Sequence, residues 1–338
     1  MNNLQKECEI EYNVFALTPE VFVEHSLELF HFQYSHNSYY RQFVDALKVN
    51  PRSVERLADI PFLPVSFFKD YEIKTTEFVP GVVFESSGTT RSKNSRHFVK
   101  DIELYKKSFL TAFTRFYGEI SEWCVIGLLP SYLEREHSSL VFMVKEMIDC
   151  CGHPQAGFYL YDHEKLKKVL EANEASSQKT LLIGVTFALL DFATEYPLQL
   201  EHTTVMETGG MKGRRKEITR RAVHEFLNNR FGTKVIHSEY GMSELLSQAY
   251  SKGNGLFQCP PWMKILIRDE DDPLTVTDSR SLMSGSTVSG LVNVIDHANR
   301  YSCAFLATDD IGTLYPDGSF EILGRRDSSD LRGCSLLV

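Results

Sequence analysis

From about residue 82 the chain alternates short β-type runs with amphipathic segments of helical period, and this alternation restricts the fold more than any other feature. WCVIGLLP (123–130) reads as a buried strand, and SSLVFMVKEMIDCCG (138–152) as a helix that its closing glycine can stop. AGFYLY (156–161) is a further strand, followed by the helix DHEKLKKVLEAN (162–173) with Asp162 as N-cap. TLLIGVTF (180–187), TTVMETGG (203–210) and TKVIHSEYG (233–241) repeat the strand-plus-turn pattern. A helix around 214–231 carries Ile218, Ala222, Val223, Phe226 and Leu227 at helical spacing and ends at Gly232. Strand–helix–strand order of this kind predicts an α/β core containing parallel sheet.

The flanks differ. The first eighty residues read as helical and aromatic-rich, with Phe22, Leu27, Leu29, Phe30, Phe32 and Tyr34 crowded together. In IPFLPVSFFKDY (60–71) two prolines oppose a long regular element and predict an ordered extended segment. Beyond about residue 260 the pattern turns β-rich, ending in GTLYPDGSFEILG, a hairpin signal around the PDG turn. The expected organisation is a helical N-terminal segment (1–80), an α/β core (81–260), a smaller β-rich subdomain (261–323) and a hinge-like C-terminal tail (324–338).

Composition narrows the function. The 338 residues are 43% hydrophobic and 24% charged, which excludes a disordered or low-complexity chain. Net charge is −9, so a nucleic-acid partner is not expected and any anion site must be local. No apolar run approaches the roughly 18 residues of a membrane span, and the N-terminus lacks signal-peptide features. The seven cysteines lack disulfide-framework spacing, so free thiols and a cytoplasmic location are expected.

Three segments carry groups suited to nucleotide chemistry. VVFESSGTTRSKNSRHF (82–98) delivers a Ser/Thr/Gly loop followed by cations; its hydroxyls and amides can meet phosphate oxygens, or it is simply a loop. It lacks Walker spacing. HSEYGMSELLSQAY (237–250) places Tyr240, Ser243 and Glu244 where a ring can stack on a base, a hydroxyl reach phosphate and a carboxylate hold Mg2+. The alternative there is a helix N-cap at Ser243. FLATDDIGTLYPDGSFEILGRRDSSDLRG (305–333) sets Asp310 before a hairpin and Arg325 and Arg326 after it, suiting ribose hydroxyls or an ordinary surface turn.

In this order, the three segments resemble those of the adenylate-forming (acyl-adenylate synthetase) superfamily, over roughly residues 55–338. SSGTT resembles its phosphate loop, YGMSE its YGxTE-type segment, TDDIG its TGDxG segment and GRRDSSDLRG its GRxDxxIKxRG hinge. ETGGMKGRRKEITR (207–220) looks like its Gly-Gly strand end beside adenine. The closest likeness is to LuxE-type acyl-protein synthetases, through IPFLPVSFFK, Lys93-Asn94-Ser95-Arg96, LPSYLEREHSSLVFM (129–143) and the short C-terminus. The resemblance implies a large-domain fold of mixed sheets with flanking helices, without the small C-terminal domain and its catalytic lysine. It implies ATP and Mg2+ as cofactors, a fatty or related carboxylic acid as substrate, and a fatty acyl reductase as possible acyl-accepting partner. An oligomer is possible.

Residue by residue, the resemblance implies that Ser86, Ser87, Gly88, Thr89, Thr90, Lys93 and Arg96 position phosphates. Ser243 would touch the α-phosphate and Glu244 hold the metal, while Gly209, Gly210, Tyr240 and Gly241 frame adenine. Asp310 and Arg325 would hold the ribose side. His237 is a candidate acid/base group. Cys334 is the candidate acyl acceptor, since a thiolate near arginines attacks activated acyl groups. The loop continues Arg91-Ser92-Lys93-Asn94-Ser95, where the superfamily has Gly-x-Pro-Lys-Gly. Cys150-Cys151-Gly152-His153 lacks zinc spacing and reads as a buried helix end. Leu128–Tyr132 and Gly184–Phe187 suit an acyl pocket or core equally. Two rivals remain: a compact acyl-CoA ligase like phenylacetate–CoA ligases, and a non-catalytic subunit that binds nucleotide or acyl group.

Overall fold

Helix boundaries follow the caps that the sequence supplies. In the computed structural model of the chain, which describes residues 12–86, 93–130, 137–209 and 219–326, the N-terminal part forms α1 (Phe22–His36) and α2 (Ser38–Ala46). The proline-punctuated stretch yields only β1 (Leu63–Pro64) and the single turn α3 (Phe67–Asp70). A hairpin, β2 (Val82–Glu85) and β3 (Arg96–Val99), then leads to α4 (Ile102–Tyr117). The α/β run follows: β4 (Cys124–Leu128), α5 (Ser139–Cys151), β5 (Gly157–Phe158), α6 (His163–Ala175), β6 (Thr180–Gly184), α7 (Thr186–Glu195), β7 (Thr203–Glu207), α8 (Arg220–Phe231) and β8 (His237–Tyr240). The remainder is strand: β9 (Ala249–Ser251), β10 (Leu256–Gln258), β11 (Met263–Arg268), β12 (Val276–Thr277), β13 (Val288–Asp296), β14 (Phe305–Leu314) and β15 (Phe320–Arg325).

The expected cap at Asp162 is present, its Oδ1 accepting the Lys165 amide at 3.1 Å to start α6, and Ser138 Oγ accepts the Val141 amide at 3.4 Å to start α5. Thr219 Oγ1 does the same for α8 through Ala222. The strand-plus-turn unit at 180–187 is β6 as far as Gly184, followed by the turn at Val185 into α7. Two readings needed revision. The strand at 156–161 shortens to two residues. Ser243 caps no helix: the chain after Tyr240 turns and returns as β9, antiparallel to β8.

Among the described residues one sheet runs in the order β12-β11-β13-β14-β15-β10-β9-β8-β7-β6-β4-β5, with β1 paired to β14. Its β8-β7-β6-β4-β5 part is parallel, and from β8 outward it is antiparallel. β4 and β6 are buried at every residue, as parallel strands covered on both faces must be. Two apolar cores result. One packs the helices against the parallel strands, around Phe109, Phe113, Leu182, Leu189 and Phe231. The other packs α1 and α2 against the antiparallel part, around Phe30, Tyr40, Ile265 and Phe305. Among the described residues no helix is long and apolar enough to cross a membrane. Five described cysteines are free thiols; Cys150–Cys151 ends α5 as expected, but only Cys151 is buried and Cys150 is exposed.

The parallel strands therefore end together, with the loops after β7 and β8 side by side. Leu182 lies at the centre of β6, fully buried. Leu182→Ala should cost about 2–5 kcal/mol of stability, read as a shift of the urea unfolding midpoint at unchanged slope; a shift of a few tenths would contradict this packing.

Candidate active site

A buried carboxylate organises the strand ends. Glu207, the last residue of β7, receives Thr186 Oγ1 (2.8 Å) and the Gly209 amide (3.0 Å) on Oε2. On Oε1 it receives Arg220 Nε (3.1 Å) and Ser238 Oγ (3.2 Å), with His224 Nε2 at 3.6 Å. Burial pushes this carboxyl up, but the His224, Arg220 and Thr186 contacts outweigh it and hold it down at about 2. The first turns of α7 and α8 and the ends of β7 and β8 are thus tied to one group. Gly209, held by this group, has φ +73°, and among the described residues a Cβ there would meet nothing within 4 Å.

The three segments singled out in the sequence converge here. Along β8, Ser238 and Tyr240 face one side while His237 and Glu239 face the other, following the pleat. Tyr240 packs edge-on to Phe257 and Phe320 and donates its hydroxyl to Asp310 Oδ2 at 2.8 Å. Arg325, directly across from Asp310 in the β14–β15 register, has Nε 4.0 Å from Asp310 Oδ1. Burial raises Asp310, against which the Tyr240 hydrogen bond and Arg325 act. Ser243 Oγ donates to the Glu85 carbonyl at 3.4 Å, joining the turn after β8 to the end of β2.

Glu244 is 7% exposed. Burial raises its pKa, countered by the Ser95 hydroxyl and more weakly by Arg325 and Lys69. Ser95 closes the base of the Ser/Thr/Gly loop: its amide donates to Ser86 Oγ at 2.9 Å, and its carbonyl accepts the Ser86 amide at 3.0 Å. Two further residues hold the Ser243–Glu244 turn. His97 Nδ1 lies 2.8 Å from the Ser243 carbonyl and Nε2 2.9 Å from Asn299 Oδ1, while Asn299 Nδ2 donates to the Glu244 carbonyl at 2.7 Å. Burial holds His97 down at about 4. Neither residue stood out in the sequence, because each acts on backbone carbonyls from a distant segment.

The remaining candidates have other partners. His237 meets the Tyr117 hydroxyl at 3.2 Å on the sheet face away from Tyr240, and burial lowers it to about 4. Lys93 pairs at the surface with Asp70 at 3.3 Å, and Arg96 lies over the Phe98 ring. Gly241 adjoins the Glu239 carboxyl. Leu128, Leu129 and Val185–Phe187 are buried core. Ser87, Gly88, Thr89, Thr90, Gly210, Tyr132 and Cys334 lie outside the described residues.

Among the described residues no three His, Cys, Asp or Glu side chains gather as a metal cage. A magnesium ion carried by a triphosphate needs only one or two protein carboxylates, and the donor set at Glu244 fits that requirement.

No family model matches this chain, and no curated protein matches it. Solved structures do match. The chain is similar to 2-hydroxyisobutyryl-CoA ligase in the postadenylation state with R3-HIB-AMP, with TM-score 0.60 and 10% identity over 94% of this chain and 73% of that one. It has the fold of the large N-terminal domain of an adenylate-forming enzyme. Weaker likenesses include the luciferase-like enzyme of the nonluminescent Zophobas morio mealworm (TM-score 0.49, 14% identity, 77% of this chain, 61% of that one). Another is O-succinylbenzoate coenzyme A synthetase from Bacillus subtilis with ATP and magnesium ion (TM-score 0.45, 15% identity, 75% and 51%). This chain thus spans about half to three quarters of the lengths of these three.

The Glu207 carboxyl also sets a pH dependence. Its folded pKa of about 2 lies below the ordinary glutamate value of 4.5, so its stabilisation is complete above that value and is lost as pH falls toward 2. Glu207→Gln should flatten the stability loss between those limits in urea titrations at stepped pH. An unaltered acid limb would show that the charge is not the anchor.

Proposed function

We propose that this chain activates a carboxylic acid with ATP and Mg2+, forming an acyl-adenylate, and then passes the acyl group to a cysteine thiol. The observation that carries this reading is the convergence of Tyr240–Asp310, Ser243 and Glu244 with the Ser86–Ser95 loop base at the parallel strand ends. The acid's oxygen would attack the α-phosphorus, and the bond to pyrophosphate would break. Gly209, Gly210 and Gly241 would frame adenine with Tyr240, and Asp310 and Arg325 would take the ribose. Ser86, Ser87, Gly88, Thr89, Thr90, Lys93 and Arg96 would hold the β/γ phosphates, and Ser243 the α-phosphate. Glu244 would hold Mg2+, which supplies charge neutralisation on the phosphates. The depressed basicity of His237 and its seat beside Tyr117 suit a supporting role there better than proton transfer.

In the second half-reaction a thiolate attacks the acyl carbonyl carbon, AMP leaves, and the thiol proton goes to solvent. The LuxE-type likeness of the sequence puts the acceptor at Cys334 or on a reductase partner, with a fatty acid as the expected substrate and the cytoplasm as the expected location. The CoA ligase among the solved structures favours a second reading, transfer to CoA.

Glu244→Gln should lower acid-dependent pyrophosphate release by on the order of 100-fold or more, with the fold retained by circular dichroism. Cys334→Ala should leave pyrophosphate release intact and abolish a hydroxylamine-labile acyl mass increment on the protein. Persistence of that increment in Cys334→Ala would move the acceptor elsewhere. CoA-dependent AMP release without any increment would establish the second reading.

A further inference from the structure

The face of the sheet opposite Tyr240 carries three polar groups that the proposed chemistry does not use. The strand registers pair Glu207 with Ser238 and Glu239 with Tyr250. Continued by one residue, the first sets Thr208 beside Glu239; continued by two, the second sets Gly241 opposite Gln248. Thr208, Glu239 and Gln248 therefore share one face, by the two-residue period of the pleat. Gly241 lies between the last two: a Cβ there would fall 2.5 Å from Glu239 Oε1 and 3.3 Å from Gln248 Cγ. Its missing side chain is what allows both groups to sit against the main chain.

None of the three is satisfied by the described residues. Among these, Thr208 Oγ1 and Gln248 Oε1 are buried without a hydrogen-bond partner, Gln248 being 3% exposed as a whole. Glu239 has no hydrogen-bond partner among the described residues and is half-buried, so solvent still reaches it. The Tyr105 and Tyr250 phenols stand near enough to feel its charge. Burial, with Glu207 nearby, pushes the Glu239 carboxyl up to about 8. Native interiors leave few such groups unpaired, and three on one face mark a site that a ligand or water completes.

The position favours a ligand. Thr208 adjoins Gly209 in the chain and Glu239 adjoins Tyr240, so these groups stand directly behind the proposed nucleotide site, at the C-terminal ends of parallel strands. An unsubstituted alkyl chain laid there would leave a carboxyl, a hydroxyl and an amide oxygen dry and unpaired. A donor-bearing chain would satisfy them.

We infer that Thr208, Glu239 and Gln248 form the specificity pocket for the acid, and that the acid carries a hydrogen-bond donor, an amino or hydroxyl group, where its chain reaches them. This rests on the acid-activating reading and replaces an unsubstituted fatty acid with a substituted one as the substrate class. A donor bonded to Glu239 favours its charged form, which makes Glu239 the principal acceptor, and Thr208 and Gln248 complete the shell around the same donor.

The test is pyrophosphate release by the full chain with ATP, Mg2+ and matched acids: hexanoate against its omega-amino and omega-hydroxy forms, and phenylacetate against its para-amino and para-hydroxy forms. The wild type should favour donor-bearing acids by about 10- to 100-fold in kcat/KM. Glu239→Leu should erase or invert that ratio, and Thr208→Val should reduce it. Glu239→Gln should spare hydroxy acids and penalise amino acids if the donor is an ammonium, and treat both alike if it is a hydroxyl. Equal rates for all acids, or a preference that Glu239→Leu leaves untouched, would mean that the three groups hold water only, and would overturn the inference. If no acid yields pyrophosphate, the acid-activating reading fails. Calorimetric titration of the same acids into wild type and Glu239→Leu then decides the pocket: tighter binding of donor-bearing acids by the wild type alone supports it, and equal binding overturns it.

Discussion

Everything at the candidate site depends on Glu207 remaining charged inside the protein. An ionised carboxylate out of water is tolerated only when its oxygens are fully paired. Here a hydroxyl, an amide, a guanidinium and a second hydroxyl supply that pairing, with an imidazole close by. Each donor comes from a different element or turn, so pairing the charge also fixes where α7, α8, β8 and the Gly209 turn must lie. The left-handed turn at Gly209 and the aim of Tyr240 toward Asp310 follow from that fixed arrangement.

The second constraint is the turn after β8. Its carbonyls are held by His97 and Asn299, which leaves the Ser243 hydroxyl and the Glu244 carboxyl directed toward the loop base at Ser86 and Ser95. Burial makes the Glu244 charge costly without a cation, and neighbouring Arg325 and Lys69 offset only part of that cost. On the proposed reading, an Mg2+ ion carried by the nucleotide's phosphates would relieve that cost.

Much of this was legible in the sequence, for physical reasons. The buried strands β4 and β6, the cap Asp162, and the hairpin around the PDG turn are local signals read by local rules. Tyr240, Ser243, Glu244 and Asp310 were legible as suitable groups in a recognisable order, and the fold brings them together. The helix α7 after β6 was missed because its start rests on Thr186 pairing with Glu207, which comes from another strand. Glu207, His97, Asn299 and Glu239 were illegible for another reason. Their meaning lies in partners drawn from other segments, in some cases more than a hundred residues away, or in having no partner.

The central claim is that the strand ends behind Glu207 join a carboxylic acid to the α-phosphate of ATP. It is tested most directly by supplying an acid whose carboxylate is labelled with heavy oxygen and weighing the nucleotide product. An acyl-adenylate broken at its acyl carbon leaves one labelled oxygen on AMP, and the account predicts AMP heavier by that single atom, with unlabelled pyrophosphate. Unlabelled AMP, or ADP in its place, would contradict it.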